Sequence, residues 1–369
     1  IDPIKAATER RSYSDEEVIH YGIVPRTNRG IFAINELPDL QPRIQVGLLN
    51  ILEERDLQIR GFPVRIPLDV LLVFSANPED YTNRGNIITP LKDRISSQIL
   101  THYPDDVKIA AKITAQEAWI ERGESPAAEV PAFFRELVEE VTFAARGSEF
   151  VDQSSGVSAR LPISAIEILV SNLERRGLAN RESRVFPRLC DLPACLPAIT
   201  GKVEMVYEGE QQGAEVIAKK LIGTAVKKVF DAKFPAPDSG RPTQRRRQEL
   251  EEALEEETAP GARRRPAPAP ERVHPLYEPI VEYFAAGNRV TISDDTPFSE
   301  HLAALDAVPG LRRAVEEHFA PSSPEELAVG MELVLEGLTQ HLKIAREDLD
   351  SKVSYTEMLK FNLVRSRPN

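Results

Sequence analysis

Asn35 and Glu36 follow a short apolar run, Ile31-Phe-Ala-Ile34. A carboxylate at the tip of a buried strand can orient and polarise a water. An amide or carboxylate beside it can hold the hydration shell of Mg²⁺, which takes oxygen ligands and keeps several of its waters. A second apolar run, Leu71-Leu-Val-Phe74, leads through Ser75 and Ala76 to Asn77, an amide that can fix the other side of the same water. Arg94 closes the helical run Leu91-Lys-Asp-Arg94 and can reach a phosphate on a neighbouring subunit. Phosphoryl transfer asks a protein mainly for positioning and charge stabilisation, and these are the groups that supply them. Taken singly each signal is weak. A Glu after an apolar run is commonly a solvated strand end, and an Arg at a helix end suits the helix dipole. The order carries the reading: strand-Asn-Glu, helix, hairpin, strand-Ala-Asn-Pro, Leu-Lys-Asp-Arg.

These side chains need a sheet to hold them. Ile44, Leu48, Ile51 and Leu52 recur at helical spacing after Pro42. The run 57–66 alternates apolar and polar residues about Gly61, as a hairpin does. "SQILTHY", residues 97–103, reads as a third strand. Continuous apolar strands separated by helices imply a parallel sheet covered on both faces, with ligands beyond the strands' carboxyl ends. Residues 1–104 therefore read as an α/β layer, and 105–234 as mostly helical. Residues 235–272 segregate Pro, Arg and Glu into blocks and read as a charged linker, with a short helix at "RRQELEEALEEE". Residues 273–369 read as a small helical module, in which Leu327, Met331, Val334, Leu335, Leu338 and Leu342 form one stripe.

The totals narrow the function. The chain has 369 residues, long enough for two or three domains, and a formal net charge of −12. An acidic protein is a poor general ligand for a phosphate backbone, so nucleic acid is not the expected partner. Two cysteines, Cys190 and Cys195, cannot make a disulfide scaffold and read as reduced core residues of a cytoplasmic protein. No stretch has the length and apolarity of a membrane span.

Residues 1 to about 175 resemble the AAA+ ATPases of the magnesium-chelatase I-subunit and MoxR group. "IDPIKAA" is similar to the segment opening that group's helix-2 insert. "GIVPRTNRGIFAINELPDL" resembles its Walker B region, "LQIRGFPVRIPLDVLLVFSANPED" its pre-sensor-1 hairpin and sensor 1, and "PLKDRI" its arginine-finger segment. "SGVSARLPISAIEIL" resembles its sensor 2 element. The resemblance implies a partial AAA+ P-loop sandwich, then an all-α lid and the C-terminal module. It implies ATP and Mg²⁺ as cofactors. Asn35 would take the Walker B metal position, Glu36 would polarise water, and Asn77 would be sensor 1. Arg94 would be the arginine finger, with Arg84 as rival, and Arg160 would be sensor 2. It further implies a homo-oligomeric ring, expected to be a hexamer, and a partner bearing a von Willebrand factor A domain. Hydrolysis would drive remodelling of that partner, or metal insertion.

Two departures qualify this. The group has Asp where this chain has Asn35, an acceptor without charge. The phosphate loop G-x-x-x-x-G-K-[ST] does not occur, and "PAITGKVEM" lacks its spacing. The chain, which opens on Ile1, is thus expected to begin after that loop and to be inactive by itself. A non-hydrolysing scaffold or binding module is the alternative; a DNA-associated regulator is a more distant one.

Overall fold

Ile31–Ile34 (β1) and Leu71–Phe74 (β4) lie side by side as parallel strands, in register from Ile31 opposite Leu71 to Ile34 opposite Phe74. They belong to a computed structural model that describes residues 1–13, 15–58, 65–77, 86–123, 126–238, 273–349 and 352–358. The chain divides into two units, Ile1–His102 and Tyr103–Asn369.

In the first unit, α1 (Pro3–Glu9) starts where the Asp2 carboxylate accepts from the N–H groups of Ile4 and Lys5, with Pro3 at its first position. A single turn, α2 (Ile23–Arg26), precedes β1. Helix α3 (Pro42–Glu53) again opens on a proline. Its buried residues are Gln45, Leu48 and Ile51, whereas Ile44 is exposed. The expected stripe holds at Leu48 and Ile51, with Leu52 packed against the core, and differs only at its start, where the Gln45 amide is buried in place of Ile44. β2 (Asp56–Gln58) and β3 (Arg65–Pro67) pair antiparallel, and the hairpin's tip about Gly61 falls outside the described residues. Helix α4 (Thr89–Arg94) ends the unit's regular structure.

Leu37, Leu48, Ile51, Leu68, Ile87 and Leu91 form the core of this unit, with Ile34, Leu72 and Phe74 of the sheet packed against it. Burial alternates along both strands, and Ile31, Leu71 and Val73 are exposed on the opposite face. Among the described residues helices cover one face only, not the two expected. Residues 97–103 are not a strand either. Their backbone has no strand partner among the described residues, and Ile99 and Leu100 stand exposed. Without a ladder, apolar β-formers do not make a strand.

The second unit joins both sides of the linker around one core. Helices α5 (Val107–Glu117), α6 (Ala132–Arg146) and α7 (Arg160–Asn180) are followed by the short α8 (Leu196–Thr200), α9 (Tyr207–Gln212) and α10 (Ala214–Lys233). A minimal parallel pair, β5 (Ala127–Ala128) and β6 (Arg184–Val185), lies among them. After the linker come α11 (Glu278–Ala285), β7 (Val290–Ser293), α12 (Phe298–Asp306), α13 (Leu311–His318), α14 (Pro324–Gln340), β8 (Ala345–Leu349) and β9 (Lys352–Thr356). The last three strands form an antiparallel sheet in the order β7-β9-β8, so the module expected to be helical carries a sheet as well. Every residue of α14 from Leu327 to Leu338 is buried, a helix enclosed on all sides rather than striped, and Leu342 lies beyond it, exposed. Gly337 allows this: a Cβ there would collide with the Phe230 ring of α10.

Buried polar groups join the two sides of the linker. The Arg176 guanidinium meets Asp191 at 2.5 Å on its own side, where both are buried, and its Nη1 donates across to Asp294 O at 3.5 Å. Burial works against the Arg176 charge, but the Asp191 carboxylate outweighs it and holds the guanidinium's pKa up. Arg188 donates to the carbonyls of Ser293 at 3.2 Å and Thr296 at 2.8 Å. Glu332 accepts from the Cys190 N–H at 2.8 Å and pairs with His301 Nε2 at 3.0 Å. Both cysteines are buried thiols, and burial pushes Cys195 up to about 12. At the linker's ends, His274 N–H donates to Pro237 O at 2.8 Å and Tyr277 Oη to Pro235 O at 2.8 Å. The linker itself, residues 239–272, falls outside the described residues, as does the helix expected within it. Among the described residues no helix is long and apolar enough to cross a membrane.

Candidate functional site

The register of β1 and β4 brings Asn35–Glu36 and Ser75–Asn77 to the same end of the sheet. Ser75 ties them together. Its N–H donates to Ile34 O at 3.0 Å and its carbonyl accepts from the Leu37 N–H at 2.9 Å. Its hydroxyl donates to Asn35 Oδ1 at 3.3 Å and accepts from the Glu36 N–H at 3.2 Å. Glu36 is left-handed, with φ +53°. That conformation costs a side-chain-bearing residue roughly 1–2 kcal/mol, and the Ser75 bonds on either side of the residue hold it there. The turn continues with Asp39 N–H donating to Glu36 O at 2.9 Å. Glu36 and Asn77 are both exposed at this end. Asn35 Oδ1 and the Glu36 carboxylate are oxygen donors, the class that suits a hydrated Mg²⁺.

Helix α3 connects this tip to α4. The Gln45 amide is buried and fully used: Nε2 donates to Leu40 O at 2.8 Å and to Asn86 O at 3.2 Å, and Oε1 accepts from the Ile88 N–H at 2.9 Å. Two turns on, Glu53 binds Arg94 through Nε at 2.7 Å and Nη2 at 2.6 Å, while Arg94 Nη1 donates to Pro90 O at 2.9 Å. Ser75, Gln45 and Glu53 were not singled out by the sequence. Ser75 could have been, since it is the first polar residue after an apolar run. Gln45 gave no signal, because a lone amide on a helix normally faces water.

Arg160, in the second unit, is the first residue of α7 and is exposed, its N–H donating to Ser158 Oγ at 3.1 Å. Arg84 and the residues after Asn77 in the Asn-Pro-Glu run fall outside the described residues.

Residues 7–99 match the profile of the sigma-54 interaction domain. This segment is of the AAA+ ATPase type. The hydrogenase transcriptional regulatory protein HoxA of Cupriavidus necator is 32% identical over 107 residues, which is 27% of this chain and 22% of the regulator. The chain thus spans about a fifth of that relative's length. A crystal structure of a Cytophaga hutchinsonii protein assigned as an ATPase is 16% identical, over 52% of this chain and 64% of that one, with a TM-score of 0.22. That likeness is too slight to build on. The matched segment includes the residues at the strand tips and along α3 and α4: Asn35, Glu36, Gln45, Glu53, Ser75, Asn77 and Arg94. It does not reach Arg160.

Proposed function

We propose that the chain is part of a magnesium-chelatase/MoxR-like AAA+ ATPase that couples Mg-ATP binding and hydrolysis at subunit interfaces to remodelling of a protein partner. One observation carries the reading: the AAA+ segment brings Asn35, Glu36 and Asn77 to one end of a parallel pair, the end at which such sheets take ligands. In this reading the exposed Glu36 carboxylate polarises the attacking water, and Asn77 orients it. Asn35 offers its amide oxygen to the metal's hydration shell without adding charge. Mg²⁺, when bound, neutralises the charge developing on the phosphates. Arg94 serves a neighbouring subunit's site in a ring, as AAA+ domains commonly form rings. Arg160 contacts the γ-phosphate from the lid. The cradle for the remaining phosphates is not among these residues, since no Gly-Lys-Ser/Thr loop occurs in them. A hexamer and a partner with a von Willebrand factor A domain belong to the same proposal, as does a cytoplasmic location.

The test is Glu36→Gln in the natural protein. ATP affinity is expected to stay within about twofold, while turnover falls by the 10²–10⁴ that general-base loss brings. Unchanged turnover removes Glu36 from the mechanism. A second reading has an observation of its own. Asn35 is uncharged and already accepts from Ser75, which suits a non-hydrolysing scaffold. Nucleotide binding without hydrolysis in the wild type would favour it.

A further inference from the structure

We infer that Gln45 is a positioning residue that fixes the Glu36 turn and the Arg94 helix in one geometry; the inference rests on the functional reading above. Its amide joins three backbone groups of two segments that lie more than forty positions apart in the chain. Leu40 O closes the turn that Glu36 opens, since Leu40 N–H donates to Leu37 O at 3.2 Å and Asp39 N–H to Glu36 O at 2.9 Å. Asn86 O and Ile88 N–H belong to the segment leading into α4, and Ile88 is that helix's N-cap residue. Arg94 is the last residue of the same helix and is clasped by Glu53, on the same helix α3 as Gln45. Helix α3 therefore holds α4 at both ends and the Glu36 turn at its own start.

Only an amide fits this position. It must supply two N–H donors and one acceptor in one plane, which a carboxylate, a thioether or a hydroxyl cannot do. Full burial raises the stakes, because a lost partner leaves backbone groups unpaired away from water. In a ring, Glu36 of one protomer and Arg94 of the next would face the same phosphate. A fixed relation between them within each protomer sets their spacing at every interface at once. Misplacement of reacting groups by about 1 Å can lower a rate by about 10²-fold.

The experiment compares Gln45→Met with Leu68→Ala in the natural protein. Leu68 lies in the same core, and its backbone N–H donates to Arg55 O at 2.8 Å rather than to any of the three groups. A second variant, Ile88→Pro, removes the N–H that Gln45 accepts while suiting the local φ of −61°. Both Gln45→Met and Ile88→Pro are expected to lower turnover at least tenfold with nucleotide Kd within twofold. Amides 88–94 should exchange at least tenfold faster, while those of 48–53 stay unchanged. Leu68→Ala, at an equal loss of Tm, should do neither. Turnover in Gln45→Met and Ile88→Pro equal to that of Leu68→Ala overturns the inference alone. Absence of hydrolysis in the wild type overturns the functional reading and this inference together.

Discussion

Glu53 holds Arg94 with two N–H groups on a single carboxylate oxygen, at 2.7 Å from Nε and 2.6 Å from Nη2. The pair is partly exposed, so its contribution to stability is small, about 0–1 kcal/mol. Its consequence is orientation. A guanidinium held within its own chain must be offered to a neighbour together with that carboxylate or released from it.

This relationship leads to a mixing experiment. On the proposed function, Arg94→Ala subunits titrated into the wild-type protein are expected to suppress ATP turnover more than in proportion to their fraction, by up to roughly 10³-fold per affected site. Glu53→Gln should leave the folding free energy within about 1 kcal/mol of wild type and shift turnover far less. Strictly proportional loss on mixing would place Arg94 outside the interface.

Arg176→Met is expected to destabilise the second unit by about 3–5 kcal/mol, because it strands the buried Asp191 carboxylate. Urea denaturation checks the size. The matching double variant with Asp191→Leu should recover much of the loss. If it recovers none, Arg176 acts through its carbonyl contact to Phe186 instead.

Glu139 predicts a pH dependence. Burial raises its carboxyl above the usual range, against the Thr114 hydroxyl bond and the Arg146 charge that lower it. A raised folded value means that the folded state holds the proton more tightly than the unfolded chain. The group thus adds stability as pH falls through the raised value and opposes folding above it. Glu139→Gln should therefore raise Tm at neutral pH, with the gain shrinking toward pH 4.5. A gain that is constant with pH would mean the carboxyl's charge is not the cause.

Cutting the chain within 239–272 tests the shared core of the second unit. The two pieces are expected to co-elute in buffer and to separate only in denaturant. The Arg188 and Glu332 contacts and the shared apolar core join the pieces without needing the linker. Free elution of the C-terminal piece in buffer would show that the linker, not the core, holds it.

The strand tips were legible because apolar runs stop abruptly at polar residues, and the carboxyl ends of β1 and β4 fall where those runs end. Gln45 was not legible, since hydrophobic period assigns amides to the surface, and only coordinates show an amide whose three bonds are all met. Residues 97–103 misled for the opposite reason: their composition suits a strand, but strand formation depends on a neighbour that one stretch of sequence does not reveal. The C-terminal sheet did leave a mark: Lys352-Val-Ser-Tyr-Thr356 alternates polar and apolar residues as a strand does, but the run is five residues long and stands after a much longer helical stripe, and its burial from Val353 to Thr356 does not follow the alternation. Glu53 and Arg94 are 41 positions apart in the chain, and no local pattern links them.

The bare side of the β1–β4 pair has a practical outcome. Ile31, Leu71 and Val73 form a greasy panel, and Ile99 and Leu100 of the same unit are also open to solvent. Such surface attracts whatever hydrophobic matter is at hand, including chaperones, detergents and unfolded neighbours. Purified by itself, this stretch of polypeptide is a candidate for clumping and for sticking to columns, and its handling calls for dilute solutions or a solubilising fusion.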